Sequence, residues 1–127
     1  MPTQSSKSVR VFQTAWFAKA AGKSRIAEKE LCSAIRQVML GQADDLGGGV
    51  FKKRLNKNLD RSIILAKGGS YCVFEYLFAK KDRSNIDNKE LIRFRALATI
   101  YESYTQAQVS SLLQGQDWLE ICHENPK

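Results

Sequence analysis

Residues 50–86 read VFKKRLNKNLDRSIILAKGGSYCVFEYLFAKKDRSNI, and the pattern within them decides the fold. Three runs rich in β-branched and aromatic residues, Val50–Leu55, Arg61–Ala66 and Tyr71–Phe78, are separated by Asn56–Asp60 and Lys67–Ser70. Short runs of this kind between polar or glycine-containing breaks predict an antiparallel hairpin system. The stretch holds nine basic residues (Lys52, Lys53, Arg54, Lys57, Arg61, Lys67, Lys80, Lys81, Arg83) against Asp60, Glu75 and Asp82. It carries +6 of the chain's net +7, so the rest is close to neutral.

Side chains alternate along a strand, so Lys52 and Arg54 share one face while Phe51, Lys53 and Leu55 share the other. Two cations on one face, about 7 Å apart by strand rise, can address one phosphate or two neighbouring ones. In the third run the same alternation groups Cys72, Phe74, Tyr76 and Phe78 against Tyr71, Val73, Glu75 and Leu77.

Upstream, Gln42–Gly49 reads as a loop. Its three glycines lack the following Gly-Lys-Ser/Thr that a phosphate-binding P-loop requires. Ala27, Leu31, Ala34, Ile35 and Val38 form the apolar stripe of an amphipathic helix over Ile26–Leu40, with Gly41 as its stop. Val9–Gln13 alternates as an edge strand, and Trp16, Phe17 and Ala20 mark a short helix ending at Gly22. Both aromatics are expected in the core. Downstream, Asp87 and Glu90 form a capping box that opens a helix to about Tyr104, with Leu91, Phe94, Leu97, Ala98 and Tyr101 facing inward. A short helix over Thr105–Gln114 and a terminal strand over Asp117–Cys122 complete the chain. The expectation is an α+β domain: an antiparallel sheet of about four strands flanked by N-terminal and C-terminal helices. Residues 1–8 read as a flexible leader, 9–122 as the domain and 123–127 as a flexible tail.

At 127 residues the chain is long enough for one modest core, and 43% apolar with 26% charged residues is ordinary for a globular protein. A pI near 9.5 favours an anionic partner, most commonly nucleic acid. Cys32, Cys72 and Cys122 are odd in number, far apart and without CxxC spacing. They predict reduced thiols, with neither a zinc site nor a disulfide framework. No apolar run is long enough to span a bilayer, and MPTQSSKSVR lacks a signal-peptide core. A cytoplasmic protein without membrane contact is the expectation.

Four local signatures now matter together. Phe17-Ala18-Lys19 is followed by Arg25-Ile26 and Leu31-Cys32-x-Ala34-Ile35. Asp45-Leu46-Gly47-Gly48-Gly49-Val50 leads into Lys52-x-Arg54. Arg61-Ser62-Ile63-Ile64 precedes a hairpin. Phe78-Ala79-Lys80-x-x-Arg83-x-Asn85-Ile86, followed by Glu90-Leu91, is the most specific. Their order and spacing, from about Phe12 to Leu119, resemble the RelE/ParE-type toxins of bacterial type II toxin–antitoxin systems, in the compact RelE-like, HigB-like branch.

The resemblance implies a curved antiparallel sheet flanked by helices. It also implies a ribosome-dependent endoribonuclease, an mRNA interferase that inhibits translation and needs no cofactor or metal. Its partners would be the ribosome, mRNA and a cognate antitoxin, in this branch often a helix-turn-helix DNA-binding protein. In such a reaction a ribose 2′-hydroxyl attacks the adjacent phosphate, and the protein stabilises the added charge and protonates the leaving oxygen. A single histidine, His123, rules out a paired-histidine mechanism. By motif position Lys52, Arg54, Arg61 and Lys80 are the candidate catalytic residues, with the arginines on the phosphate. Lys53, Lys57, Lys67, Lys81 and Arg83 are the candidate RNA-binding residues. Taken singly, each such residue is more often a solvated surface charge, and the cluster is what points to RNA.

One departure stands out. Relatives carry a Gly-Lys-x-Gly-Gly-x-Arg-like loop where this chain has only Asn56-Lys57-Asn58-Leu59-Asp60. A catalytically inactive RNA-binding relative is therefore one alternative, and a DNA gyrase inhibitor of ParE type is the other.

Overall fold

A computed structural model describes residues 9–67 and 70–123, which form six strands and four helices. In chain order these are β1 (Arg10–Thr14), α1 (Ala15–Lys23), α2 (Glu28–Met39), β2 (Asp44–Gly47), β3 (Val50–Leu55), β4 (Asp60–Lys67) and β5 (Tyr71–Ala79). They continue with α3 (Asn88–Glu102), α4 (Gln106–Gln114) and β6 (Trp118–Ile121). The leader at 1–8, the tail beyond His123, and Gly68 and Gly69 of the expected hairpin turn lie outside the described residues.

The three central strands form as their patterns predict. β3 pairs with β4 and β4 with β5, all antiparallel. The sheet is nevertheless larger than expected, with six strands in the order β2-β3-β4-β5-β1-β6. Nor is it wholly antiparallel: β1 runs parallel to β5, with Gln13 opposite Phe74. β6 pairs antiparallel with the other side of β1, so Arg10–Thr14 is an interior strand and not the expected edge. Its burial agrees, since Val11 faces the α1–α2 side and Phe12 the α3–α4 side and both are buried. Asp44–Gly47, expected as loop, is the short outer strand β2.

Helices cover both faces. On one, Phe17 of α1 and Leu31 and Ile35 of α2 pack against Val11, Ile64, Phe74 and Leu77. On the other, Ala98 and Tyr101 of α3 and Val109 of α4 pack against Phe12, Val50, Ile63, Leu65 and Val73. Each such large side chain contributes about 1.5–3 kcal/mol on burial. Trp118 closes the second core, 5.1 Å from the Phe12 ring and 4.9 Å from that of Tyr101. The Asp87–Glu90 capping box opens α3, and Thr105 with Gln108 opens α4 in the same way.

Glycines 47–49 bring α3 onto the β2–β3 turn. Gly49 has φ +85°, and a Cβ there would sit 3.0 Å from the Ala66 carbonyl oxygen and 3.5 Å from Ala98. Only glycine suits both the left-handed backbone and the close approach.

Three further expectations are corrected. Ile63 pairs with Tyr76 and Ile64 with Phe74, which leaves Glu75 as an extra residue in a β-bulge. The bulge inverts the alternation beyond it, so Tyr71, Val73, Tyr76 and Phe78 share the α3 side while Cys72, Phe74 and Leu77 face α1 and α2. Cys32 of α2 and Cys122 after β6 form a disulfide with Cα atoms 5.4 Å apart, against the expectation of three thiols. Pairing across 90 residues has no local spacing signature, and only the β1–β6 pairing brings the two together. Cys72 stays free and buried. Finally, Phe17 is fully buried as expected, but Trp16 is 53% exposed.

Candidate functional site

The β3–β4 ladder places Arg54 directly opposite Arg61 and Lys52 opposite Ile63. Ile63 packs on the α3 side, so all three cations lie on that face of the sheet. They line a cleft of about 420 Å³ beside the end of β2, together with Asp44 and Lys53. β2 stops pairing at Asp44, opposite Lys52, and the remainder of β3 is left open along the sheet edge.

Each cation is held differently. The Lys52 side chain is only 16% exposed, with its Nζ 3.2 Å from Asn85 Oδ1 and 3.7 Å from Asp44 Oδ2. Arg61 donates through one terminal nitrogen to the carbonyls of Asn58 (3.1 Å) and Asp60 (3.2 Å). Its guanidinium is therefore aimed by the β3–β4 turn. Arg54 is exposed. Neither arginine is ion-paired among the described residues, whose salt bridges join Arg10–Glu120, Lys52–Asp44 and Arg83–Glu90. Two unneutralised guanidiniums facing each other repel, and an anion between them would relieve that repulsion. Lys53 points to the opposite face of β3 and donates to the Gln42 carbonyl at 3.2 Å.

The shortened loop is a tight left-handed turn. Asn56, Lys57 and Asn58 have φ of 57°, 54° and 73°. Asparagine tolerates that region better than other side chains. Asn56 pins the turn: its backbone N–H donates to the Glu30 carboxylate, and its amide donates to Asp60 Oδ2 (2.9 Å) and the Ser24 carbonyl (3.3 Å). Lys57, Lys80 and Lys81 line a second cavity of about 680 Å³ around this turn. Lys80, expected beside Lys52, thus stands in a neighbouring cavity.

Two sequence candidates are engaged elsewhere. Lys67 lies at the far end of β4, six residues from Arg61 and roughly 20 Å away by strand rise. Its Nζ donates to the Tyr104 carbonyl at 3.1 Å and sits 5.5 Å above the Tyr71 ring. Arg83 makes a two-point ion pair with Glu90, donates to the Asn85 carbonyl and lies over the Phe78 ring. The Arg83 hydrogen bonds, aided by the Asp87 backbone N–H, hold the Glu90 carboxyl below the usual carboxylate range. Arg83 therefore braces the segment that presents Asn85 to Lys52.

Other titratable groups stand apart from the cleft. His123 follows β6, four strand positions from β3. Burial pushes the Cys72 thiol up to about 11. Burial likewise pushes the Tyr71 phenol up to about 12, and its hydroxyl donates to the Tyr101 carbonyl inside the core. Among the described residues no group of three or more His, Cys, Asp or Glu is placed to hold a metal ion.

Asp44 falls in a stretch whose sequence reads as loop, so nothing local marks it as a partner of Lys52. Asn85 lies within the FAKxxRxN motif, but only the tertiary fold shows that it meets Lys52. No helix among the described residues is long and apolar enough to cross a membrane. A search of curated proteins returns no match. A family model described as the RelE toxin of the RelE/RelB toxin–antitoxin system matches residues 9–121, which takes in all six strands, all four helices and the arginine pair. The chain belongs to this family of toxins from toxin–antitoxin systems.

Proposed function

We propose that the protein is a ribosome-dependent endoribonuclease that cleaves mRNA, with the β3–β4 cleft as its active site. The observation that carries the reading is the pair Arg54–Arg61, opposed across the ladder with no carboxylate between them. A scissile phosphate fits there, because planar guanidinium donors match phosphate oxygens and neutralise the charge that grows on them. The ribose 2′-hydroxyl attacks phosphorus and gives its proton to water. The bond to the 5′-oxygen breaks, leaving a 2′,3′-cyclic phosphate and a 5′-hydroxyl. Lys52, held between Asn85 and Asp44, is the donor of the proton that the leaving oxygen takes up. Lys80, Lys57 and Lys81 grip the neighbouring RNA backbone from the second cavity. A cognate antitoxin of helix-turn-helix type is the proposed protein partner.

The test is inducible expression in bacteria with mapping of mRNA 5′ ends within minutes. New 5′-hydroxyl ends inside translated codons, lost in Arg54→Ala and Arg61→Ala, are expected. Growth arrest that persists in both variants and in the double would count heavily against cleavage. Arrest with intact mRNA would move the target to gyrase or another protein.

A further inference from the structure

The end of β5 carries an aromatic surface that the phosphate site does not use. Trp16, in the first turn of α1, is 53% exposed, whereas Trp118 is 3% exposed. One face of the Trp16 indole is stacked on Tyr76, with centroids 5.3 Å apart and planes at 17°. Tyr76 in turn packs against Phe78 and Phe94. The indole is therefore a backed, oriented ring and not a loose side chain. The bulge at Glu75 turns Tyr76 and Phe78 to the α3 side, where Phe94 packs against the Tyr76 ring.

A groove of about 450 Å³ opens beside the indole, between α1 and the turn after β5. Lys19 and Lys23, three and seven residues after Trp16 and so on its side of the helix, line it together with Arg83. Two carboxylates, Asp60 and Asp82, share the groove, and Arg83 is paired with Glu90. Lys19 and Lys23 are the cations there that stand outside any ion pair among the described residues. A flat aromatic face flanked by cations is the combination that takes single-stranded nucleic acid, with the base stacking and the backbone following the charge. An apolar protein segment would match the ring but leave the lysines unanswered.

The groove also adjoins the cleft. Phe78 lies directly opposite Arg61, as Arg61 does opposite Arg54, so one line across the sheet runs from the phosphate site to the aromatic row. From Arg54 to Phe78 is two strand spacings, roughly 10 Å.

We infer that Trp16, backed by Tyr76, is a stacking platform for an unpaired RNA base flanking the phosphate held by Arg54 and Arg61, with Lys19 and Lys23 on its backbone. This rests on the RNA reading proposed above. The experiment titrates the full chain against an end-labelled 2′-O-methylated single-stranded oligoribonucleotide, which cannot be cleaved, with affinity read from the label's anisotropy and wild-type tryptophan emission followed alongside. Wild-type emission should be quenched, Trp16→Ala should weaken binding by about tenfold, and Trp16→Phe should restore most of it. Lys19→Ala and Lys23→Ala should each flatten the salt dependence by about 0.7 in log–log slope.

Binding by Trp16→Ala within about twofold of wild type would overturn the platform, as would a wild-type protein that binds no oligonucleotide. A Trp16 that ignores RNA but whose loss weakens neutralisation by the antitoxin would overturn it in favour of a protein-docking surface. The 5′-end mapping separates this inference from the parent reading. Cleavage that needs Arg54 but not Trp16 sinks only the platform. Trp16-dependent binding without cleavage sinks only the nuclease.

Discussion

Arg54 and Arg61 occupy paired positions on β3 and β4, and their like charges face each other unpaired by any carboxylate among the described residues. Such a pair costs stability in the free protein, a cost that a phosphate bound as proposed would offset. Arg54→Ala should therefore separate two quantities that usually fall together. Cleavage should drop by about a hundredfold or more through loss of a charge-stabilising donor. Stability in a denaturant melt should rise by about 0.2–1 kcal/mol as the repulsion is relieved. A variant that loses both would assign Arg54 to the scaffold.

Asn85 holds Lys52 in place from 33 residues away, through a 3.2 Å contact. Asn85→Ala leaves Lys52 only Asp44, which pulls its Nζ toward the sheet edge. The expected result is a cleavage rate lower by about tenfold through mispositioning, with a small loss of stability from the hydrogen bond that Asn85 Oδ1 accepts from the Ile86 N–H at 2.9 Å. Rates measured on programmed ribosomes would check it.

Glu75, the bulge residue, is largely buried, which raises its carboxyl above the ordinary value, while the hydrogen bond from the Tyr101 hydroxyl at 2.7 Å partly opposes the rise. A group whose folded pKa is raised binds its proton more tightly in the folded state. Its stabilising contribution is complete below the unfolded pKa and is lost as pH rises through the folded one. At neutral pH the ionised side chain is thus a burden. Glu75→Gln keeps an acceptor for Tyr101 and removes the ionisation, so it should melt higher than wild type at pH 7. That advantage should shrink as pH falls through the carboxyl's titration. Paired thermal melts across acidic and neutral buffers would show it.

The Cys32–Cys122 disulfide closes a loop across 90 residues. Cys32→Ser should lower stability by about 2–4 kcal/mol, and a thiol reductant should reproduce that loss in wild type but not in the variant. Thiol titration of unfolded, unreduced protein should count one group, Cys72. A count of three would show that the bond does not form.

Gly49→Ala places a Cβ at φ +85° and 3.0 Å from the Ala66 carbonyl. A cost of about 2 kcal/mol is expected from the left-handed backbone alone, read out by denaturant unfolding.

What could be read from the sequence was what is local. The β3–β5 meander, the α2 stripe and the Asp87–Glu90 box are short-range patterns, and each formed where its residues predicted. The shared face of Lys52 and Arg54 follows from period two, and the joining of Arg61 follows from hairpin pairing. What stayed hidden depends on long-range geometry. Nothing in VRVFQ announces a parallel partner in β5 or a cover from β6. A single extra residue at Glu75 reversed half a strand, and period-two reasoning cannot see a bulge in an apolar run. Trp16 reads as core by residue type, although ring size indicates packing and not which side remains wet. Lys67 reads as an RNA contact by its charge, and the fold puts it at the opposite end of β4 from Arg61 with its Nζ on the Tyr104 carbonyl.

The interior position of β1 imposes an order in time. β1 leaves the ribosome before any of its partners, yet it pairs with β5 about sixty residues later and with β6 more than a hundred residues later. The β2–β5 meander, which carries Arg54 and Arg61, needs only near neighbours and can assemble early. Docking β1 must bear the entropy of closing long loops, and topology therefore predicts it to be slower than forming the meander. Until β6 arrives, one side of β1 is an open template for other strands, and Phe12 and Tyr101 lack the Trp118 ring that packs against both. The nascent chain thus acquires its cationic face before its sheet is sealed, and a partner present during synthesis meets a molecule whose last strand is still missing.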